Sequence, residues 1–267
     1  MHVVSTDFRE DAWLEAIKHL LDGDGIEYNL IVEVKKPNKH TDRSKAIKAK
    51  LDSLLRESKQ LPVRCVADTI FPSKIYKDFG LEGILTKYPE EVFPLVKQVQ
   101  ANKKGTYAYR LVRGFDEKGK QCNPLQKVID RLNSQINAKA GKRCAFELSL
   151  DLPPGDSISI NRNDSFMMGF PCLSHLSFKL SKDRKSLNLT AIYRSQYYVR
   201  KAVGNLLGLA RLQSAIAKET GVEVGTLVCH ATMATLDKDA AGKTKLRTLI
   251  KEIEEQFDET EGISGAS

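Results

Sequence analysis

The spacing of apolar residues predicts a helix near the start of the chain and a strand directly after it. The helix begins after a candidate capping residue, Asp7, and ends at "DGDG". Its apolar face holds Trp13, Leu14, Ile17, Leu20 and Leu21. The strand lies in "IEYNLIVEV", where apolar and polar residues alternate. Its predicted buried face holds Ile26, Tyr28, Leu30, Val32 and Val34.

Further helices are predicted where apolar residues recur every three or four positions. One helix holds Ile47, Leu51, Leu54 and Leu55. Another lies in "NPLQKVIDRLNSQI", with Asn123 as cap and Pro124 at the first helical position. A long helix rich in small and apolar residues spans about Lys201 to Thr220, and a charged helix follows in "LRTLIKEIEEQF". These helices separate the predicted strands.

The later strands follow one another closely. A hairpin pairs "HLSFKLS" with "LNLTAIY" around the polar turn "KDRKS". Other strands are predicted in "CAFELSLDL" and "TLVCHATMATL". Helices followed by consecutive strands are typical of an α+β fold. We therefore predict one domain over residues 1–258 and a disordered tail over residues 259–267.

The composition is that of an ordinary globular protein, with 41% hydrophobic and 28% charged residues. No apolar run reaches the roughly 20 residues that cross a bilayer, and the acidic start does not match a signal peptide. The five cysteines are scattered and form no CxxC pair, so we expect reduced thiols and no metal. A cytoplasmic location is the resulting prediction.

The net charge of +8 suits an anionic ligand, or else a solvated lysine-rich surface. Basic residues are densest between Val34 and Lys50, where few aromatic residues are interleaved. A platform for stacking bases is therefore not indicated, and nucleic-acid binding is the weakest of the functional hypotheses.

Cys172, in "GFPCLSHLSFKL", is the most informative cysteine. A free cysteine is either a reactive thiol or a small residue buried for packing. Landmarks further along the chain favour the reactive thiol: the hairpin, Arg194-Ser195, Asn205 on the small-residue helix, and Glu223-Val224-Gly225. In this order and spacing, the segment from Pro171 to Leu236 resembles the thymidylate synthase and pyrimidine nucleotide C5-hydroxymethyltransferase superfamily. Upstream, "GTYAYRLVRG" also falls in family order.

The resemblance implies a mixed or antiparallel sheet with flanking helices, and a role for each landmark. Cys172 would attack C6 of a pyrimidine, and a positive neighbour is needed because only the thiolate attacks well near neutral pH. Arg194 would supply that charge and bind the substrate phosphate, with Ser195 donating a further hydrogen bond. The alternative for Arg194 is a surface ion pair.

Other site residues come from the resemblance alone. Lys142 and Arg143 stand where the family places two arginines that reach the phosphate of the other subunit, which implies a homodimer. Asn205 would read a uracil base through its donor and acceptor, or else is an ordinary helix asparagine. Asp68 stands where the family has a glutamate that orders proton transfers. Tyr107 stands where the family has a tyrosine near the thiol, although a core or interface role fits Tyr107 equally well.

Several positions depart from the family pattern. Leu173 follows the nucleophile where a histidine is usual, and His175 is expected on the same strand face as Leu173. Thr235 and Asp237 stand where a His-x-Tyr pair binds ribose, and Tyr197 replaces an aspartate used for folate. The phosphate end of the site thus resembles the family more than its sugar and folate ends.

Together these features imply a divergent enzyme that adds a one-carbon unit to C5 of a pyrimidine nucleoside monophosphate. Methylenetetrahydrofolate is the cofactor that the resemblance implies. The alternative is a catalytically inactive nucleotide-binding homologue with a structural or regulatory role.

Overall fold

The protein has the predicted α+β fold, with one mixed sheet and flanking helices. The computed structural model describes residues 1–103, 105–115, 120–138, 146–149 and 171–264. The strands in this part of the chain are β1 (His2–Thr6), β2 (Ile26–Val34), β3 (Gly114–Phe115), β4 (Gln121–Cys122), β5 (Phe146–Ser149), β6 (Leu173–Leu180), β7 (Ser186–Tyr193), β8 (Gln196–Tyr197) and β9 (Glu223–Thr235).

The main sheet has the strand order β1-β2-β9-β7-β6-β5, and β8 pairs with β9 beyond the end of β7. The β1–β2, β7–β9 and β8–β9 pairs are parallel, and the others in this sheet are antiparallel. The predicted hairpin is β6 and β7, with Arg184 in the left-handed conformation (φ 60°) in its turn. A separate two-stranded ribbon joins β3 to β4.

The helices match the apolar spacing. They are α1 (Arg9–Asp22), α2 (Asp42–Glu57), α3 (Val63–Asp68), α4 (Ser73–Glu82), α5 (Phe93–Val96), α6 (Tyr107–Val112), α7 (Pro124–Ile136), α8 (Ala202–Thr220) and α9 (Lys243–Ser264), with a π-helical stretch at Gly83–Val92 and a 3₁₀ turn at Gln100–Asn102. The predicted cap of α7 is confirmed, because the Asn123 side chain accepts a 3.1 Å hydrogen bond from the Gln126 N–H.

One face of the sheet carries the core. Its buried residues alternate along the central strands, as in Leu187, Leu189 and Ala191 of β7, and pack with Trp13 and other α1 residues in a single cluster. The opposite face is only half-buried along a row that pairs Ile31, His230 and Ile192 across β2, β9 and β7. Val228 lies on the same face, next to this row.

Two local predictions were wrong. Ile26 and Tyr28 are 46% and 64% exposed, so the buried face of β2 begins only at Leu30. Asn29, with φ 59°, lies between these two halves of the strand. Asp7 does not cap α1, because its carboxylate accepts a 2.6 Å hydrogen bond from the Lys36 ammonium.

Helix α8 packs closely on α3 through two glycines. A Cβ atom on Gly204 would lie 2.5 Å from Cβ of Val66, and one on Gly208 would lie 2.8 Å from the carbonyl oxygen of Ala67. Because these glycines are four residues apart, they lie on one face of α8 and let the two backbones approach. This contact sets where the end of α3 lies beside α8.

Helix α9 continues to Ser264, into the stretch for which we predict a disordered tail. The domain boundary at residue 258 stays a prediction. Among the described helices, none combines the length and the apolar character needed to span a membrane.

Candidate active site

Cys172 lies directly before β6, at the end of the sheet where the start of β6 pairs with the end of β7. Its side chain is half-buried, so it is not sealed in the core. The main-chain N–H of Leu173 donates a 3.2 Å hydrogen bond to the hydroxyl oxygen of Tyr107, the first residue of α6. Burial, and then the neighbouring Cys172, raise the pKa of Tyr107 to about 12. Tyr107 therefore lies beside the thiol as a neutral phenol.

Arg194 and Ser195 follow the end of β7 and lie next to Cys172. Leu173 pairs with Tyr193, and the Arg194 N–H donates a 2.9 Å hydrogen bond to the Cys172 carbonyl oxygen. The side chain of Arg194 is exposed, and that of Ser195 is half-buried. Two of the predicted landmarks thus meet at one corner of the sheet.

The segment from Tyr197 to Lys201 connects this corner to α8 and is held by Asp237. The carboxylate of Asp237 is 2% exposed. It accepts hydrogen bonds from the Val199 N–H at 2.7 Å, the Arg200 N–H at 3.1 Å and the Arg200 Nε at 2.8 Å. These donors occupy the carboxylate, so Asp237 has a structural role at the position where the family binds ribose.

Two more hydrogen bonds fix the same segment from the far side. The indole N–H of Trp13 donates to the Tyr198 carbonyl oxygen at 2.7 Å, and the Tyr198 N–H donates to the Thr235 carbonyl oxygen at 3.0 Å. Thr235 therefore contacts this segment through its main-chain carbonyl oxygen. These bonds connect the segment before α8 to α1 and β9 and fix its position.

Asn205 lies in the first turn of α8 and is 5% exposed. Within the described part of the chain, its carboxamide makes no hydrogen bond, so its donor and acceptor are available to a ligand. Lys201 precedes α8 and lies four positions before Asn205, so both side chains are on one face of the helix.

Thr232, on β9, is a contact of Arg194 that we did not identify from the sequence. Its hydroxyl donates a 2.8 Å hydrogen bond to the Arg194 carbonyl oxygen. A polar residue within the strand "TLVCHATMATL" was the available signal.

Asp68 ends α3 and forms ion pairs with two arginines. Its carboxylate lies 2.9 Å from Nη1 of Arg211, on α8, and 3.6 Å from Nε of Arg64. Arg211 is six residues beyond Asn205, or about 9 Å along the helix axis. Asp68 is therefore further along α8 than the thiol corner, and a proton-transfer role for it stays a prediction.

His175 does not lie on the face predicted for it. A bulge between Leu173 and His175 shifts the register, so Leu173 is buried while His175 is half-exposed. The His175 imidazole lies 2.8 Å from the Glu147 carboxylate of β5. The histidine thus belongs to the outer face of the sheet. Lys142 and Arg143 lie outside the described residues.

The basic stretch between Val34 and Lys50 is largely neutralised by acids. Its ion pairs are Lys36–Asp7, Arg43–Asp11, Lys45–Asp42, Lys48–Asp52 and Lys50–Glu252. Paired cations attract phosphates less than free ones. In the described residues, no group of three or more His, Cys, Asp or Glu side chains could hold a metal ion.

Comparison with known proteins agrees with the family resemblance that the sequence indicated. No protein-family model matches the chain. A putative thymidylate synthase of Methanocaldococcus jannaschii is 26% identical over 57% of this chain and 66% of the relative. One of Methanopyrus kandleri is 28% identical over 48% of this chain and 53% of the relative. The matches thus span less than two thirds of either relative.

Among solved structures, thermostable thymidylate synthase A from Bacillus subtilis matches with a TM-score of 0.50. The match covers 91% of this chain and 84% of that chain, at 13% sequence identity. The fold is that of thymidylate synthase, and the chain is a divergent, thymidylate-synthase-like protein. The resemblance found in the sequence is confirmed.

Proposed function

We propose that the protein is an enzyme that uses the Cys172 thiolate to deliver a one-carbon unit to C5 of a pyrimidine nucleoside monophosphate. The observation that carries this proposal is the hydrogen bond between the Arg194 N–H and the Cys172 carbonyl oxygen. It holds the residues that carry the half-buried thiol and the guanidinium on neighbouring strand ends. The two relatives named as putative thymidylate synthases support the same reaction class.

In this proposal the Cys172 sulfur bonds to C6 of the base, and the electron pair of the C5=C6 bond moves to C5. The C5 carbon then takes a proton from water, or bonds to the carbon of a one-carbon donor as that donor's leaving group departs. Loss of a proton from C5 then restores the C5=C6 bond and expels the Cys172 sulfur as its thiolate. Arg194 binds the phosphate through its guanidinium fork, and Ser195 donates a further hydrogen bond. The Asn205 carboxamide accepts from N3–H and donates to O4 of a uracil.

The folate end of the site has the least support. Tyr197 stands where the resemblance places an acid, and its ring is 44% exposed. The Arg200 guanidinium lies 4.8 Å from the centre of that ring. An aromatic ring and a cation offer no carboxylate to a pterin, so Tyr197 does not fit that part of folate binding. We therefore derive no step through methylenetetrahydrofolate.

We also propose a homodimer formed through the half-buried sheet face that carries Ile31, Ile192 and Val228. The resemblance implies a partner subunit, because Lys142 and Arg143 stand where residues of one subunit reach the other subunit's phosphate. Sedimentation velocity of the wild type is expected to show a dimer, and Val228→Lys should give monomers because it buries an unpaired charge in the interface. A monomeric wild type, or a fully dimeric V228K, contradicts this proposal.

Release of tritium from C5 tests the enzyme function without presupposing a carbon donor. Reversible addition of the thiolate to [5-³H]-labelled UMP, dUMP, CMP or dCMP exchanges the tritium into water as the covalent bond forms and breaks. The wild type is expected to release tritium from at least one of these, with and without methylenetetrahydrofolate as separate arms. Cys172→Ser should abolish release, while Cys65→Ser, at an exposed thiol, should not.

A second candidate function is nucleotide binding without catalysis. It is favoured by Asp237, whose carboxylate is occupied by the main chain where the family binds the sugar. A bound ligand at 100 times its dissociation constant stabilises the folded state by about 2.7 kcal/mol. One result would replace the enzyme proposal by nucleotide binding without catalysis. In it, a nucleoside monophosphate raises the unfolding temperature of the wild type and of Cys172→Ser equally, while neither protein releases tritium.

A further inference from the structure

We propose that Thr232 is a positioning residue for Arg194: its hydroxyl holds the Arg194 carbonyl oxygen and so fixes the direction in which the guanidinium side chain leaves the sheet. Thr232 acts through Arg194 and does not contact the substrate. Its effect on phosphate binding rests on the proposed function, whereas its hold on the Arg194 main chain does not.

The contact lies at an interruption in the parallel pairing of the sheet. Strands β7 and β8 both pair with β9, on either side of a gap of two residues. The pairs that border this gap are Tyr193–Ala231 and Gln196–Ala234. Inside the gap, Arg194 lies across from Thr232, and neither residue takes part in this ladder. The main-chain groups of Arg194 therefore need other partners.

Two hydrogen bonds supply these partners from opposite sides. The Arg194 N–H donates to the Cys172 carbonyl oxygen at 2.9 Å, on the β6 side. The Thr232 hydroxyl donates to the Arg194 carbonyl oxygen at 2.8 Å, on the β9 side. Because β7 lies between β6 and β9, Arg194 is joined to both neighbouring strands. With its N–H and its carbonyl oxygen both bonded, the Cα–Cβ bond of Arg194 has a fixed direction.

The burial of the flanking residues shows that the main chain turns at this point. Tyr193 and Gln196 are 1% and 3% exposed, although they are three positions apart. In a regular strand, residues three positions apart lie on opposite faces. The chain must therefore rotate between them, at Arg194, whose own side chain is exposed. The short, β-branched side chain of Thr232 has few rotamers to lose when it bonds to this turn.

A fixed guanidinium matters most for a phosphate ligand. Two parallel hydrogen bonds form only when the guanidinium fork faces two phosphate oxygens. An arginine that is ordered only on binding loses conformational freedom at that step, which weakens the affinity. Thr232 is therefore expected to affect ligands that carry a phosphate, and not the nucleoside alone.

Thr232→Val tests the inference, because valine keeps the β-branched shape of threonine and lacks the hydroxyl. Calorimetry on the intact chain with UMP, dUMP, CMP and dCMP is expected to show affinities about 3- to 10-fold weaker for each nucleotide that the wild type binds. The affinity for uridine, which has no phosphate, should not change. In tritium release, KM should rise by the same factor at unchanged kcat, because the phosphate is bound equally in the ground and transition states.

Thr232→Ser keeps the hydroxyl and is expected to restore the wild-type affinity. The matched control is Thr190→Val, which makes the same change on β7. The Thr190 hydroxyl makes no hydrogen bond within the described part of the chain, so this variant should bind like the wild type. Thermal unfolding verifies that each variant is folded, and Thr232→Ala replaces Thr232→Val if the latter does not fold.

Hydrogen exchange tests the hold on Arg194 without any nucleotide. The Arg194 amide in Thr232→Val should exchange about 3- to 10-fold faster than in the wild type, because release of the carbonyl loosens the same residue. Thr190→Val should exchange at the wild-type rate. Overlapping peptides in mass spectrometry resolve this amide.

Three results would overturn the inference: unchanged Arg194 exchange in Thr232→Val, a nucleotide affinity equal to that of the wild type in the same variant, and a serine variant as weak as the valine variant. An equal loss of affinity for uridine also contradicts it. Each of these leaves the nucleotide chemistry standing, since the wild type still binds. A wild type that binds no nucleotide removes the proposed function, and the exchange of the Arg194 amide then decides this inference alone.

Discussion

The main-chain N–H of Arg194 donates a 2.9 Å hydrogen bond to the carbonyl oxygen of Cys172. Because both atoms belong to the backbone, this bond persists when either side chain is replaced. The ends of β6 and β7 therefore keep their relative position in side-chain variants. Loss of function in such variants reports on the thiol or the guanidinium and not on the sheet.

Replacing Arg194 by alanine should weaken the binding of a nucleoside monophosphate by about 10- to 100-fold. A charge-assisted hydrogen bond to phosphate contributes about 1.5–3 kcal/mol, which is the source of this range. Arg194→Lys should bind with intermediate affinity, because it keeps the charge and loses the fork. Isothermal titration calorimetry measures the affinities. Uridine, which lacks the phosphate, serves as control, and an equal loss for uridine would contradict a phosphate-binding role.

Replacing Asp237 by alanine should lower the free energy of unfolding by about 2–4 kcal/mol. The substitution leaves the buried N–H groups of Val199 and Arg200 without an acceptor and the Arg200 guanidinium without its acid. Asp237→Asn keeps one oxygen acceptor and should lower the free energy of unfolding by about half as much. Urea denaturation gives both values. An alanine variant as stable as the wild type would show that the segment before α8 is held by its other contacts.

Replacing Gly204 by alanine should lower the free energy of unfolding by about 1–3 kcal/mol, although alanine is the better helix former. The added Cβ would lie 2.5 Å from Cβ of Val66 and 2.9 Å from the Val63 carbonyl oxygen, so α3 must shift. Gly242→Ala, directly before α9, is the control for the added methyl group, because nothing lies within 4 Å of its added Cβ. Chemical denaturation should give a clearly lower free energy of unfolding for Gly204→Ala than for Gly242→Ala. Equal stabilities would mean that α3 moves without cost.

Stability should fall as the pH rises from about 9 to 12. Burial raises the pKa of the Cys229 thiol from its ordinary 9.0 to about 12. Above pH 9 the unfolded chain therefore loses a proton that the folded chain retains, so the unfolded state is favoured. The stabilisation is complete below pH 9 and lost towards pH 12. Tyr107, with its pKa raised to about 12, contributes in the same direction.

Urea denaturation at intervals between pH 8 and 12 tests this alkaline instability. Cys229→Ala should reduce the slope of the free energy of unfolding against pH by about one proton, because it removes the thiol that keeps its proton in the folded state. Cys65→Ser, at an exposed position, should follow the wild-type curve. A free energy of unfolding that rises with pH in this range would contradict the burial of Cys229.

The elements that the sequence predicted best are those with local causes. The start of α7 follows from Asn123 and Pro124 alone, and the β6–β7 hairpin from alternation on both sides of a polar turn. The meeting of Cys172 and Arg194 was predictable for the same reason, since a hairpin brings its two ends together. The position of His175 was not, because one bulge in β6 moves it to the other face.

The contacts that hold the segment before α8 could not be derived from the sequence. Asp237 contacts Val199, which lies 38 positions before it, and Trp13 contacts Tyr198 across 185 positions. No periodicity or short motif encodes such pairs, since they arise only when β9 and α1 pack against the segment before α8. Thr232 was missed for a similar reason, because its partner lies 38 positions before it.

Trp13 is the chain's sole tryptophan, and its indole N–H donates to the carbonyl oxygen of Tyr198 at 2.7 Å. Fluorescence excited at the long-wavelength edge of the absorption band, where tyrosine absorbs little, therefore comes from one indole that is hydrogen-bonded to the segment leading from Arg194 to Asn205. A ligand that displaces this segment changes the emission without any label. The molecule thus carries its own optical reporter, suited to stopped-flow measurement of how fast a nucleotide arrives and leaves.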